Sequence, residues 1–415
     1  MNKISLAGLC LLAGLTASAQ TSLVKEVERD LKGGAPYSQS IQKLQPAFSN
    51  PETKDQAYTY YVAGKGGFDN YDKAKIKLQL NQEMKDDEKK EAGLGLMEGY
   101  EFFFKALPLD SLPNEKGKVK PKYSKDMIKL MVAGYGDLRD AGVLLFDTHD
   151  YVDAYKAWDL YTTQLPSNPT LLANKLQVDN DTIVAPIIFY QGVAALTIGE
   201  NDPSKADEYN RKAIEKMKQA AAIKDYKNID VYRYGVEAAR RANDSIAMLE
   251  IAQAGYEKYG TEDISFIGQL INERLAAKQY AQCYNMLNEA IAGCNNNEMK
   301  SQLNDVLGFV YEQEEKFPEA ESAYRKAIEL NGSAAKPYFD LGRILYNQAL
   351  KLDETADEAT RASTVNPELL KAAEYFEKAY EINPDEMGQV PGILYRLYYR
   401  LGAGYEDKAN YYQNL

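Results

Sequence analysis

The sequence predicts an all-α fold in which antiparallel helix pairs stack on one another, and three observations lead to this prediction. Apolar residues recur at the 3.6-residue spacing of an amphipathic helix, most clearly over residues 303–332, LNDVLGFVYEQEEKFPEAESAYRKAIELNG. Small and aromatic residues repeat with a period of about 34 residues, which is typical of helical-repeat proteins. The composition, with 45% hydrophobic and 27% charged residues, is that of a chain that can fold around a core.

Residues 1–19 are predicted to be a signal peptide that is removed on export. Lys3 precedes a short apolar run, and Ala17 and Ala19 are the small residues that a signal peptidase recognises. No later stretch is an uninterrupted apolar run of about 20 residues, so we expect no integral membrane span. The predicted localisation is therefore the periplasm or outer envelope of a bacterium.

The rest of the chain is predicted to fall into four parts. Residues 20–123 hold degenerate helix pairs with insertions, and residues 124–261 hold more regular pairs. Further pairs occupy residues 262–386, and residues 387–415 form capping helices. Repeat proteins grow by adding such pairs, so 415 residues need not divide into ordinary globular domains.

Three segments interrupt the period. Residues 66–90 contain the charged run KDDEKKE, residues 111–123 are rich in Pro, Gly and Lys, and residues 352–366 are acidic and rich in Ala and Thr. Insertions in repeat proteins map to loops that often lie on one face. Two interpretations stay open for the interruptions, a loop that docks a partner and a solvated extension of a helix, and the second is favoured.

Two segments carry small and aromatic residues at matching offsets. They are Leu307, Gly308, Tyr311, Phe317, Ala320, Tyr324, Ala327 and Gly332 in one, and Ala141, Gly142, Leu145, Tyr151, Ala154, Trp158, Tyr161 and Pro166 in the other. They resemble the pattern of the tetratricopeptide repeat (TPR) family, which is Leu-Gly-x-x-Tyr followed by Ala, an aromatic residue, Ala and Pro. The resemblance covers most of residues 37–384. It implies a right-handed α-solenoid of stacked helix pairs, with a capping helix at the C-terminus.

The resemblance also implies a binding groove, because particular positions of the first helix of each pair line the inner surface in the TPR family. Carried over residue by residue, the implied groove residues are Arg139, Phe146, Phe189, Tyr232, Arg240, Asn272, Phe309, Glu312, Phe339, Arg343 and Tyr346. Tyr, Phe and Arg are enriched at interaction hot spots. The alternative is that about half of these residues belong to the core, because the helical register is approximate.

One departure from the family concerns the clamp that binds a C-terminal carboxylate through Lys and Asn of consecutive repeats. Here Asn272 and Lys336 are isolated, and Val306 and Asp340 stand where their partners would be needed. The sequence therefore argues against a receptor for chaperone tails.

The sequence predicts neither a metal site nor catalysis. A single His excludes a multi-His site, and the two Cys that follow Cys10 cannot form a four-Cys zinc site. Those two, Cys283 and Cys294, are expected to be shielded free thiols, and His149 an exposed turn residue. No nucleophile elbow, zinc-protease motif or phosphate-binding loop is present, so we expect no cofactor. The net charge of −12 argues against nucleic-acid binding.

The function predicted from these observations is a non-catalytic scaffold that binds a protein or peptide segment of the cell envelope. Glycan binding is the alternative, because the chain has 32 Tyr, although Trp158 stands at a packing position. The tripeptides that begin at Asp110, Asp181 and Asp244 resemble an O-glycosylation acceptor of exported bacterial proteins. Helix capping is the favoured interpretation of those three.

Overall fold

The protein is described by a computed structural model that covers residues 21–113 and 116–415. The predicted signal peptide lies outside the described residues. Within them the chain is all-α, and apart from an isolated bridge between Pro113 and Val119 it contains no β-structure. The predicted fold class, a helical repeat of stacked antiparallel pairs, is therefore confirmed.

The chain divides into two compact units, and the boundary falls between Met248 and Leu249. The helices that lie wholly in the first unit are α1 (residues 21–32), α2 (Tyr37–Ser49), α3 (Ala57–Gln79), α4 (Asp86–Asp110), α5 (Ser124–Ala133), α6 (Asp137–Asp147), α7 (Tyr151–Asp159), α8 (Pro169–Ala173), α9 (Asp181–Asn201), α10 (Ala206–Ala222) and α11 (Asp230–Arg241). Helix α12 (Ser245–Tyr259) contains the boundary.

The helices of the second unit are α13 (Ile264–Ala276), α14 (Tyr280–Gly293), α15 (Asn297–Gln313), α16 (Phe317–Leu330), α17 (Ala335–Asp353), α18 (Glu358–Thr360), α19 (Asn366–Ile382), α20 (Val390–Leu401) and α21 (Glu406–Gln413). Wider π-helical turns follow α7 at Leu160–Gln164 and precede α19 at Arg361–Val365. The four-part division inferred from the sequence stays a prediction.

Small residues set the distance between the paired helices. A Cβ atom on Gly64 would lie 2.5 Å from the Phe103 ring, and one on Gly67 would overlap the backbone of Gly95, so α3 and α4 touch along their backbones. In the second unit a Cβ on Gly308 of α15 would lie 2.6 Å from the ring of Tyr324 on α16. The contact between Gly308 and Tyr324 is the one that the repeat pattern predicts, and the rings of Phe103 and Tyr324 are both fully buried.

Two of the three interruptions are largely helical. Residues 66–90 are not a loop, because α3 runs to Gln79 and α4 begins at Asp86. Residues 352–366 include the end of α17, α18 and a π-helical turn, and Arg361 in that turn pairs with the buried Asp353. The favoured interpretation, a helix extension, therefore describes most of both segments.

Helix α9 is the one helix among the described residues that is long and apolar enough to cross a membrane by composition. Most of its apolar window, 61%, is buried inside the protein. It packs against α7, α10 and α11 within the first unit. A helix that is apolar on every side is expected where neighbours cover it on several sides.

Candidate functional site

The implied groove residues of the first unit differ in exposure. Phe189 and Tyr232 are buried, with 7% and 4% of their surface exposed, so these two belong to the core. Phe146 is half-buried. The exposed rings on α9 and α11 are instead Tyr190 and Tyr234, with 47% and 41% of their surface exposed. The exposed rings thus lie one and two residues from the implied groove positions, a rotation of 100° and 200° about the helix axis, and the groove itself stays a prediction.

Five rings form a continuous series that we call the aromatic row. Phe146 of α6 contacts Tyr151, with ring centroids 5.1 Å apart, and Tyr190 of α9, at 6.2 Å. Phe189 lies 5.3 Å from Tyr190 and 5.8 Å from Tyr234 of α11. The four contacts are edge-on, which is a favoured geometry for aromatic pairs. The row thus connects three successive helix pairs; Tyr190 and Tyr234 are its exposed rings, and Phe189 is buried between them.

The packing of Trp158 fixes the position of the row. Trp158 is buried, its Nε1 donates a hydrogen bond of 3.1 Å to the carbonyl of Arg139, and its ring lies 5.7 Å from Phe146. Gly142 provides the space, because a Cβ there would overlap the indole. The prediction that Trp158 is a packing residue is confirmed, and its burial removes it from contact with a ligand.

The two arginines predicted for the first unit are each paired with a neighbouring acid. Arg139 Nε donates to Asp140 at 2.8 Å, and Arg240 Nη2 donates to Glu237 at 2.7 Å. The hydrogen bonds that Arg240 donates hold the pKa of Glu237 below its usual range. Partial burial acts in the opposite direction, and Arg241 adds to the effect of Arg240. Exposed ion pairs contribute little to stability. A charged group of a ligand can therefore replace the acidic partner of either arginine at a small cost in free energy.

The implied residues of the second unit are either exposed or half-buried. Asn272 and Phe309 are exposed. Phe339 and Tyr346 are half-buried against Phe376, with ring centroids 5.6 Å and 6.2 Å from it.

Glu312 and Arg343 are bound to each other. Arg343 Nη2 lies 2.9 Å from Glu312 Oε2 and 2.9 Å from Asp340 Oδ1, and the hydroxyl of Tyr324 donates to Glu312 at 3.1 Å. Lys336 Nζ donates to Asp340 Oδ2 at 2.7 Å and to Asp305. These four charged residues and Asp305 form one network, in which the cations are already neutralised. That arrangement agrees with the departure from a carboxylate clamp.

The other residues singled out by the sequence have structural surroundings. Cys283 and Cys294 are buried free thiols, and burial raises the pKa of the Cys283 thiol, which keeps it protonated. His149 is an exposed residue with a φ of 64°, and its Nδ1 lies 2.9 Å from the hydroxyl of Tyr151. Within residues 21–113 and 116–415 no group of three His, Cys, Asp or Glu could hold a metal ion.

The three acceptor-like tripeptides lie at helix ends with exposed hydroxyl residues. Asp244 caps α12 by accepting from the N–H of Ala247 at 2.9 Å. At the second tripeptide the cap is Asn180, which accepts from the N–H of Thr182 at 3.1 Å. Asp110 ends α4 and caps α5 instead, as described below. Capping thus accounts for two of the three Asp residues, and O-glycosylation of the exposed hydroxyls stays the less favoured interpretation.

Comparison with solved structures finds similar chains at low sequence identity. No protein-family model and no curated protein matches the sequence. The C-terminal part of a TPR repeat-containing protein from Cytophaga hutchinsonii is 14% identical over 66% of this chain and 92% of its own, with a TM-score of 0.41. Yeast Tom70 is 13% identical over 95% of this chain and 91% of its own, with a TM-score of 0.33. Human IFIT1, solved as a dimer with m7Gppp-AAAA, is 14% identical over 83% of this chain and 71% of its own, with a TM-score of 0.36.

The helices themselves define the class: over the described residues the chain is an all-α helical-repeat protein. Its two-helix units, with a small residue of one helix against a large ring of the other, have the arrangement that the repeat pattern predicts.

Proposed function

We propose that the protein is a non-catalytic scaffold that binds a segment of another protein along the aromatic row. The single observation that supports this most strongly is the row itself, in which Tyr190 and Tyr234 present exposed rings on a rigid base of Phe146 and Phe189. Tyr gives a large contact area at a low entropic cost, since only two side-chain torsions must be fixed. An extended segment or a short helix that crosses three helix pairs would bury both rings.

The charge of the molecule supports a protein partner over a nucleic acid. The net charge is −12, and Asp140 and Glu237 pair with Arg139 and Arg240 of the same unit. A phosphate backbone would meet repulsion here, because nucleic-acid binding depends on clustered Lys and Arg. A segment with apolar and weakly basic side chains fits this surface best.

We place the protein in the bacterial cell envelope as part of the same proposal. The reasons are the charged, apolar and small-residue order of residues 1–19 and the shielding of both cysteines. The partner would then be an envelope protein. Fractionation of the native cells tests the location directly, and recovery of the protein with the cytosol, with residues 1–19 still attached, would contradict it.

The test of binding compares two double variants with the wild type in crosslinking pull-downs from the organism that makes the protein. Tyr190→Ala/Tyr234→Ala removes both exposed rings of the row. Tyr399→Ala/Tyr411→Ala is the matched control, because those rings are also exposed but lie on α20 and α21. Circular dichroism and thermal unfolding first establish that both variants are folded.

The proposal expects discrete proteins to be captured by the wild type and the control and lost, by about tenfold or more, from the row variant. Equal capture by all three forms would overturn the role of the row. If soluble oligosaccharides, and no proteins, protect the row from Tyr-directed modification, the glycan-binding alternative takes its place.

A further inference from the structure

A cleft of about 550 Å³ lies within the second unit. It is formed by the first half of α15, by the turn and first residues of α17, and by the end of α19. Its volume is in the range of small-ligand sites and exceeds that of one side chain. The aromatic row lies wholly in the first unit, so the cleft shares no residue with it.

The charged groups of the cleft are mainly acidic. Glu298 and Asp305 of α15 and Glu386 beyond α19 contribute three carboxylates, and Lys336 contributes the one ammonium group among the lining residues. Glu298 and Glu386 are exposed at the rim, whereas Asp305 is buried. An acidic site with one buried carboxylate favours a cation that can reach inward from the rim.

Apolar atoms line the same cleft between these charges. Val306 of α15, Pro337 of α17 and Ile382 of α19 contribute aliphatic walls. A ligand with an aliphatic stem and a charged head satisfies both features, because the stem packs on the walls while the head reaches a carboxylate.

Asp305 has an unsatisfied oxygen. Its exposed fraction is 4%, its Oδ2 binds Lys336, and its Oδ1 accepts no hydrogen bond from any of the described residues. Burial, together with the nearby charge of Asp340, raises the pKa of Asp305 to about 6. The attraction of Lys336 lowers the pKa but does not offset these two effects. A buried acceptor without a donor is costly, so a cationic donor that reached Oδ1 would bind with more than a surface contact.

Lys336 can accommodate such a ligand. Its side chain is 63% exposed, and it also binds Asp340, so it keeps one carboxylate if Asp305 turns towards a second cation. It lies in the first turn of α17, where the helix dipole disfavours a positive charge. The acids therefore hold Lys336 at a place that it would not otherwise favour.

We propose that this cleft binds a primary alkylammonium group, with the head on Asp305 and the methylene stem against Val306 and Ile382. The natural source would be a lysine side chain of a partner segment, and a free polyamine presents the same chemistry. The geometry assigns Lys336 as an internal competitor for Asp305, so its removal should strengthen binding.

The experiment measures ligand binding to the full chain by ligand-observed NMR titration. The probes are a capped Gly-Ser-Lys-Ser-Gly peptide, its norleucine counterpart, which has the stem without the charge, and cadaverine. The lysine peptide should bind at least about tenfold more tightly than the norleucine peptide. Preference for cadaverine over the lysine peptide would identify a free amine as the ligand, and preference for the peptide would identify a protein segment.

Variants assign the site. Asp305→Asn keeps the shape of the side chain and should weaken binding of the lysine peptide by about tenfold. Lys336→Met should strengthen it several-fold, and Glu329→Gln, an exposed carboxylate on α16 that does not line the cleft, should leave it unchanged. Equal binding of the lysine and norleucine peptides, or unchanged binding by folded Asp305→Asn, would overturn the proposal. Weaker binding by Lys336→Met would overturn the competitor role. These outcomes leave the test of the aromatic row unaffected.

Discussion

The effect of replacing a glycine in this chain depends on what packs against it. The ring of Tyr324 is fully buried against Gly308, so it cannot move aside for an added methyl group. Gly268 on α13 has no heavy atom within 4 Å of its would-be Cβ. The two positions look alike in the sequence but differ in what surrounds them.

We predict that Gly308→Ala lowers the free energy of unfolding by about 1–3 kcal/mol, because overpacking strains the buried ring or separates α15 from α16. Gly268→Ala is the control, since Ala has the higher helix propensity and should stabilise by about 0.5–1 kcal/mol. Denaturant unfolding of both variants measures the difference. A stabilising Gly308→Ala would show that the helices do not approach as closely as described.

At the scale of elements, Asp110 organises the connection between α4 and α5. Its carboxylate accepts from the N–H groups of Lys122, Tyr123 and Ser124 at 3.0, 2.8 and 2.7 Å, and from the Ser124 hydroxyl at 2.7 Å. Partial burial alone would raise the pKa of Asp110, but these four donors outweigh it and hold the pKa below its usual range. Asp110 directly precedes the Pro/Gly/Lys-rich segment of residues 111–123. It thus binds the far end of that segment, where α5 begins.

We predict that Asp110→Asn costs about 1 kcal/mol of stability and speeds hydrogen exchange at the Tyr123 and Ser124 amides. Because the folded pKa is lowered, the stabilisation is present above pH about 3.9 and is lost as the pH falls through the folded value. Acidification to a pH below the folded pKa of Asp110 should therefore reproduce the variant. Ser111→Ala is the control, because among the described residues its hydroxyl donates to the carbonyl of Leu107 and not to the α5 end of the loop. The prediction fails if both variants exchange alike.

Helix α9 differs from its neighbour α10 in how its apolar residues are distributed. Its sequence is apolar on all sides, whereas α10 beside it is amphipathic. The difference follows from position, since α9 packs against α7, α10 and α11. The same burial explains how a helix of membrane-spanning length fits inside a compact unit.

At the scale of the whole molecule, the acidic excess governs behaviour in solution. The formal charge is −12 at pH 7, and the isoelectric point is near 5.0. Charge of one sign keeps molecules apart, and this repulsion vanishes when the net charge reaches zero.

We predict a solubility minimum near pH 5, measured as turbidity of the purified protein between pH 4 and 8. Returning the sample to pH 7 should redissolve it, which distinguishes charge neutralisation from irreversible unfolding. A minimum above pH 6, or none at all, would contradict this prediction. It would mean that the pKa values of the carboxyl groups, taken together, lie far from their usual range.

Much of this molecule follows from local patterns in the chain. Helix periodicity and the recurring small residues predict the all-α class and the pairing of α15 with α16, because a helix and its next neighbour are specified by residues close in sequence. The packing role of Trp158 and the free state of the cysteines were predicted in the same way. The departure from a carboxylate clamp could also be predicted, since Asp340 stands beside Lys336 on one helical turn.

The tertiary structure alone decided which of two neighbouring rings faces solvent. Phe189 and Tyr190 are adjacent and equally suited to a groove, but a 100° turn of the helix places one in the core and the other on the surface. Likewise, the free oxygen of Asp305 depends on where α17 and the end of α19 pack, far along the chain. The local sequence determines which face of each helix is apolar. Which residues are exposed, and which buried polar atoms lack a partner, is decided only when helices that are distant in the sequence pack together and exclude water.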